Sequence, residues 1–209
     1  MPVTRHDTGA AVNLRSLGWL EGIGNADFNR DVLQEALDAA IPVHVPAGTY
    51  HVSGGITLTG KSVRITGEGR NSSIIINADI GGSDLLKFIS CDHSLVQGVG
   101  FRGDNWRTGV APTAAPVDNA AVYFGQSRDI QVLNCEFSGF AVSKGALMFQ
   151  QCNEMQVRGN RFSFNDSLDK LGSDLLNRAG GDYEGGAAIP SNDYIVTDNE
   201  FFSNNNVGV

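Results

Sequence analysis

Carboxylates are the residues of this chain best suited to act on a substrate. Asp104 and Asp166 stand near the ends of two copies of one repeated line of sequence, and Asp182 and Glu184 flank Tyr183 in the glycine-rich stretch GGDYEGG. Two carboxyl groups held at a fixed separation can divide the labour of hydrolysis. One protonates a leaving oxygen while the other activates water, and inverting glycoside hydrolysis uses a gap of about 6.5–9.5 Å. If successive copies of the repeat stack as strands, the backbones of Asp104 and Asp166 fall roughly 10 Å apart, and side-chain reach brings the acids closer. The competing reading is that Asp at the start of a loop caps a turn. Trp106 and Tyr183 offer flat rings that could lie on the apolar face of a pyranose, with Arg102 and Arg107 as donors beside Trp106. Equally, Trp106 reads as a loop anchor and GGDYEGG as an ordinary loop. Asp169 and Asp174 lie with Lys170 and Arg178 in DSLDKLGSDLLNR, which reads as a short helix. Leu168, Leu171, Leu175 and Leu176 would pack down, leaving the acids on a solvated face.

Other chemistries find little support. His6, His44, His51 and His93 are scattered, without metal-ligand spacing to a Cys or acid, so no metal site and no cofactor are expected. No Gly-x-Ser-x-Gly, phosphate loop or dinucleotide fingerprint occurs. The glycines of RITGEGRNS fall inside the repeated region and read as turn glycines.

The elements that must position these residues are written in the repeat. CDHSLVQGVGFRGDN (91–105), SRDIQVLNCEFSGFA (127–141), CNEMQVRGNRFSFND (152–166) and SNDYIVTDNEFFSNN (191–205) align column by column. The fourth column is Ser94, Ile130, Met155 and Tyr194. The sixth is Val96, Val132, Val157 and Val196, and the eleventh is Phe101, Phe137, Phe162 and Phe201. Apolar residues two apart mark a strand with one buried face. Gly98, Asn134, Gly159 and Asp198 in the eighth column mark a turn that needs left-handed backbone. The Phe then opens another strand. Strand, tight turn and strand at an irregular period is a solenoid signature. The tenth column, Gly100, Glu136, Arg161 and Glu200, reads as an outward charge ladder at the surface.

The repeats begin at 91, 127, 152 and 191, so the steps are 36, 25 and 39 residues. The shortest step is taken as a bare coil. The others then carry insertions, DNWRTGVAPTAAPVDNA (104–120) and NDSLDKLGSDLLNRAGGDYEGG (165–186), expected as loops on one flank framing one groove.

A chain of 209 residues with 41% apolar content fits one β domain with a sizeable core. The net charge of −8 argues against nucleic acid as a partner. No apolar run is long enough to span a membrane, and the N-terminus lacks the pattern of a signal peptide. Cys91, Cys135 and Cys152, an odd count, read as small buried fillers.

In chain order, residues 1–26 provide an opening strand, VNLRSLG, and a glycine-rich loop. Residues 27–40 form an amphipathic helix, with Asp27 as its cap and Phe28, Val32, Leu33, Ala36, Leu37 and Ala40 on the buried face. Such a helix would cover the open end of the first coil. Residues 41–209 form the coils. The capped helix, PVHVPAGTYHVSGGITLTG and VRITGEG resemble the N-terminal region of right-handed parallel β-helix proteins of the pectate-lyase-like superfamily, and VNLRSLG resembles their first strand. The likeness implies an all-β, single-stranded parallel β-helix with an N-terminal capping helix, running as one domain over residues 1–209. It implies no catalytic residue by motif. Asn-Thr-Asp, Asp-Asp and Gly-His-Gly signatures of polygalacturonase-like hydrolases and the Asp-Pro-His-Glu of mannuronan epimerases are absent, and Asp27 and Asn29 replace the usual Asp-Asp pair before the helix.

The expectation is therefore a protein that binds an extended polysaccharide and cleaves its glycosidic bonds, in the manner of phage tailspike depolymerases. The candidate catalytic residues are Asp104, Asp166, Asp182 and Glu184, and the candidate binding residues are Trp106, Arg102, Arg107 and Tyr183. A calcium ion enters only if the activity is that of a lyase. The alternative is a non-catalytic glycan-binding or structural spike segment. The sequence stops within what reads as an incomplete last coil, so further chain or a homo-oligomer is expected to cover it. The resemblance implies a trimer, and an extracellular or virion-surface location.

Overall fold

The structure is a computed structural model that describes residues 11–78, 83–103, 120–140, 146–163, 165, 175–178 and 193–202. It is mostly β, with parallel strands throughout and one α-helix among the described residues. A short strand, β1 (Val12–Asn13), and a 3-10 turn over Leu14–Leu17 replace the longer opening strand expected at VNLRSLG. Asn13 ends that strand early, because its side chain caps the turn by accepting the backbone N–H of Arg15 at 2.9 Å.

The helix α1 covers Ala26–Asp38. Its N-cap is Asn25, not Asp27. Asp27 lies in the first turn, where it accepts a hydrogen bond from Ser53 Oγ at 2.6 Å and faces Arg30 at 3.5 Å. The buried face is Ala26, Asn29, Leu33, Ala36 and Leu37; Phe28 is 48% exposed and Ala40 is exposed. Asn29 takes the place expected of an apolar residue because its amide is fully used. It accepts from Leu20 N at 3.0 Å and donates to Leu20 O at 2.8 Å and to His51 O at 2.9 Å. Those bonds tie the helix to the loop before it and to the strand that carries His51.

The remaining strands fall into three parallel sheets visited in strict rotation. Sheet A contains β1 with β2 (Val43–Val45), β5 (Arg64–Gly67), β8 (Ser94–Gln97), β11 (Arg128–Leu133), β14 (Asn153–Arg158) and β17 (Tyr194–Thr197). Sheet B contains β3 (Gly48–Val52), β6 (Ser73–Asn77), β9 (Gly100–Arg102), β12 (Glu136–Ser138), β15 (Arg161–Ser163) and β18 (Glu200–Phe202). Sheet C contains β4 (Ile56–Thr59), β7 (Leu86–Ile89), β10 (Val122–Gly125), β13 (Leu147–Gln150) and β16 (Leu175–Arg178).

The register is the one written in the columns. Val96, Val132, Val157 and Val196 pair in succession across sheet A, and Phe101, Phe137, Phe162 and Phe201 across sheet B. The phenylalanines stack at ring-centroid distances of 5.4, 5.1 and 5.1 Å. A second aromatic column in sheet C, Phe88, Phe124 and Phe149, packs inside the same core. Gly98, Asn134, Gly159 and Asp198 all have φ between 53° and 68°, so the A-to-B turn is left-handed on four successive strands. His93 and Asp193, each just before its strand of sheet A, and Asp129 and Glu154, each the second residue of its strand, are left-handed as well. The three cysteines are free and buried, and burial raises each thiol pKa, that of Cys135 to about 12.

Asparagine completes the A-to-B turn. Asn160 Oδ1 accepts the N–H of Cys135 at 2.8 Å, and its Nδ2 donates to Val132 O at 2.9 Å. Asn199 repeats this one strand on, accepting from Asn160 N at 2.9 Å and donating to Val157 O at 2.9 Å. Buried turn amides and carbonyls, which cost free energy when unpaired, are thereby satisfied between neighbouring strands.

Candidate functional site

The strand order fixes where the long connections lie. Sheet B leads into sheet C through residues 103–121, 139–146 and 164–174 on successive strands, and sheet C leads into sheet A through residues 126–127, 151–152 and 179–193. The first insertion therefore precedes β10. The second is split by β16, whose Leu175–Arg178 pair with Leu147–Gln150 of β13 as a strand and not as part of a helix. Most of its extra length falls after β16, at the other end of the strands. The first insertion and the part of the second before β16 both lead into sheet C, and the part of the second after β16 leaves it, with β13 between β10 and β16.

Asp104, Trp106, Arg107, Asp166, Asp182, Tyr183 and Glu184 lie outside the described residues, as do Asp169 and Asp174. Their places in the chain still sort them. Asp104, Trp106, Arg107 and Asp166 belong to segments leading into sheet C, following strands β9 and β15, which sit two apart in sheet B. Asp182, Tyr183 and Glu184 belong to the segment leaving sheet C.

Between those segments, sheet C presents an outer face of Tyr123, Met148 and Gln150, with Lys87 and Ile89 on the neighbouring strand. Register places Lys87 beside Tyr123 and Tyr123 beside Met148. The Tyr123 hydroxyl donates to Gln150 Oε1 at 3.2 Å, and Lys87 Nζ lies 5.7 Å from the Tyr123 ring centroid. That ammonium-over-ring geometry is an attractive cation–π contact. Ala120, Tyr123 and Met148 are buried and form an apolar cluster separate from the main core. Sequence reasoning missed this face. Its signal was the outward parity of Tyr123 against Val122 and Phe124, which could be read only once β10 had been placed.

Arg102 is the one described member of the predicted binding set. It ends β9 on the outer face of sheet B, with its guanidinium 3.4 Å from Glu136 Oε2 on the adjacent strand. The two side chains are 18% and 9% exposed, so Glu136 is not the surface ladder member its column suggested. The rest of that column does pair outward, with Arg161 Nε 3.9 Å and Arg70 3.7 Å from Glu200. Glu136 and Glu200 flank Arg161 in register on one face.

A polar groove of about 520 Å³ opens at the A-to-B turns, lined by Glu68, Arg70, Asn71, Gln97 and Asn134 over a glycine floor. Gly67 and Gly98 are required there by close approach of the turns: a Cβ on Gly67 would meet Gly98 O at 2.5 Å. Among the described residues, no three His, Cys, Asp or Glu side chains converge as a metal site would need.

No known family pattern matches the sequence, and no curated protein matches it. Solved structures do. ORF18 of Geobacillus virus E2 superposes with a TM-score of 0.75 at 18% identity, over 93% of this chain and 37% of that one. The pre-mature gene product 12 of bacteriophage phi29 follows with a TM-score of 0.59 at 15% identity, over 92% of this chain and 33% of that one. A provisionally assigned glycosyl hydrolase of Parabacteroides merdae has a TM-score of 0.59 at 13% identity, over 96% of this chain and 99% of that one. These likenesses establish a shared fold. This chain spans about a third of the length of the two phage proteins.

Proposed function

We propose that the three sheets are the walls of a right-handed parallel β-helix that binds an extended polysaccharide across the outer face of sheet C and cleaves its glycosidic bonds. What supports this reading is the order of the chain around sheet C: the segments that contain Asp104 and Asp166 lead into its strands β10 and β16, and the segment that contains Asp182 and Glu184 follows β16. A carboxylic acid from one side protonates the leaving oxygen, and a carboxylate from the other activates water or attacks the sugar. Trp106 and Tyr183 stack on sugar rings at the two ends of the strands. Arg107 donates from beside Trp106, and Arg102 from the neighbouring sheet, where Glu136 orients it. Likeness to two phage proteins supports a virion-surface or extracellular setting, and the exposed Tyr194, Ile195 and Phe202 on β17 and β18 suit burial in a homotrimer or by further chain.

A non-catalytic glycan-binding or spike segment is the second reading. The burial of Tyr123, Met148 and Gln150 favours it, because a covered floor serves packing before it serves substrate. Assays of new reducing ends and of unsaturated products absorbing near 235 nm, on a polysaccharide panel, separate the readings. New reducing ends without absorbance identify a hydrolase, and absorbance that chelator abolishes identifies a calcium-dependent lyase. Binding without either product overturns the catalytic proposal.

A further inference from the structure

The groove at the A-to-B turns is not touched by the mechanism above, since no strand of sheet C borders it. It has the composition of a recognition site. Asn71, Gln97 and Asn134 line it, and none of their carboxamides has a hydrogen-bonding partner among the described residues. Gln97 ends β8 in register with Leu133 of β11, and Asn134 is the residue after Leu133, so Gln97 and Asn134 stand on adjacent strands whose backbones are about 4.8 Å apart. Each carboxamide offers both donors and an acceptor, the complement of a hydroxyl, which also does both. Glu68 adds an exposed acceptor at one end, its carboxylate 3.6 Å from His44 Nε2. Arg70 is the cation among the lining residues, and it is already engaged: it donates to Gly159 O at 3.1 Å and lies 3.7 Å from Glu200. A polyanion would find no unspent charge there and would meet a protein of net charge −8. The volume lies in the range of small-ligand sites.

We infer that this groove binds a neutral, hydroxyl-rich oligosaccharide, as a second site separate from sheet C. The inference stands whether or not bonds are broken on sheet C, because it uses different residues.

The test is side-chain amide NMR on the intact 15N-labelled chain, titrated separately with cellotetraose, maltotetraose, laminaritetraose and, as the acidic comparison, trigalacturonate. The side-chain NH2 resonances of Asn71, Gln97 and Asn134 are expected to shift saturably with at least one neutral probe. The Asn71→Ala, Asn134→Ala double variant should weaken that affinity by about tenfold or more, as loss of a few hydrogen bonds does, while leaving any release of products from polymer unchanged. Shift mapping on the unaltered protein needs no variant to fold. Resonances that stay still with all three neutral probes, that respond to trigalacturonate alone, or that belong to a double variant binding as tightly as the parent would each overturn the inference.

Discussion

Asn160 reaches back to the preceding strand and accepts the backbone N–H of Cys135 at 2.8 Å, inside the turn that joins sheet A to sheet B. Its Nδ2 donates to Val132 O near the end of β11 and to Asn199 Oδ1 at 3.1 Å. Asn160→Ala leaves a buried N–H and a buried carbonyl without these partners. Each orphaned group costs about 1–3 kcal/mol. A lowered midpoint in chemical denaturation, with an unchanged slope, is the expected result. Asn199→Ala should cost less, since its side chain is more accessible and it serves the last of the described turns.

The phenylalanine column makes a graded prediction. Phe137 is fully buried and stacks on both Phe101 and Phe162, so Phe137→Ala should cost about 3–5 kcal/mol. Phe201 is half-buried and stacks on Phe162 alone among the described residues. Thermal melts of the two variants should rank Phe137→Ala well below Phe201→Ala; equal losses would mean the column is not continuous.

The thiols give a pH dependence with a definite sign. Burial raises Cys135 from its ordinary 9.0 to about 12 and Cys152 to about 11. The folded values lie above the unfolded ones, so this stabilising contribution is complete below pH 9. It is lost between pH 9 and about 12, as the unfolded chain ionises first. Melting temperature should fall through that window, less steeply in Cys135→Ser if the hydroxyl is tolerated. A thiol reagent at pH 8 should label no cysteine until denaturant is added.

Arg102 and Glu136 are mutually dependent. Removing the guanidinium leaves a mostly buried carboxylate, and broken buried pairs cost up to about 3–5 kcal/mol. Arg102→Ala should therefore lower stability, and the double change Arg102→Met, Glu136→Leu should recover most of the loss. If Arg102 also touches substrate, the restored double variant will still bind polysaccharide more weakly than the parent.

The stacked columns were legible because strand parity and left-handed turns each leave a residue-type signature, as at Val132, Phe137 and Gly159. The left-handed residues where the strands of sheet A begin were not. His93, Asp129 and Glu154 share no residue type that announces positive φ, and only the hydrogen-bonding frame of neighbouring strands imposes it. Helix α1 was legible from its apolar spacing at Leu33, Ala36 and Leu37, but not at Phe28 and Ala40, which are exposed, nor at Asn29, whose burial depends on carbonyls brought in from the chain around Leu20 and His51. The position of the second insertion was hidden by LLNR. Its leucines fit a helix as well as a strand, and only pairing with β13 decides between them. Repeat lengths reveal how many residues are extra in a coil but not at which end of sheet C they emerge.

In the proposed reaction, carboxylates from the segments entering and leaving sheet C act together. Its most direct measurement is turnover of a polysaccharide substrate by Asp104→Asn and by the Asp182→Asn, Glu184→Gln pair, each beside a binding isotherm on the same polymer. Both variants should bind nearly as the parent does, and each should lose about a hundredfold or more in turnover. If the variants from both sides keep full turnover while binding is intact, sheet C is not the place where bonds are broken.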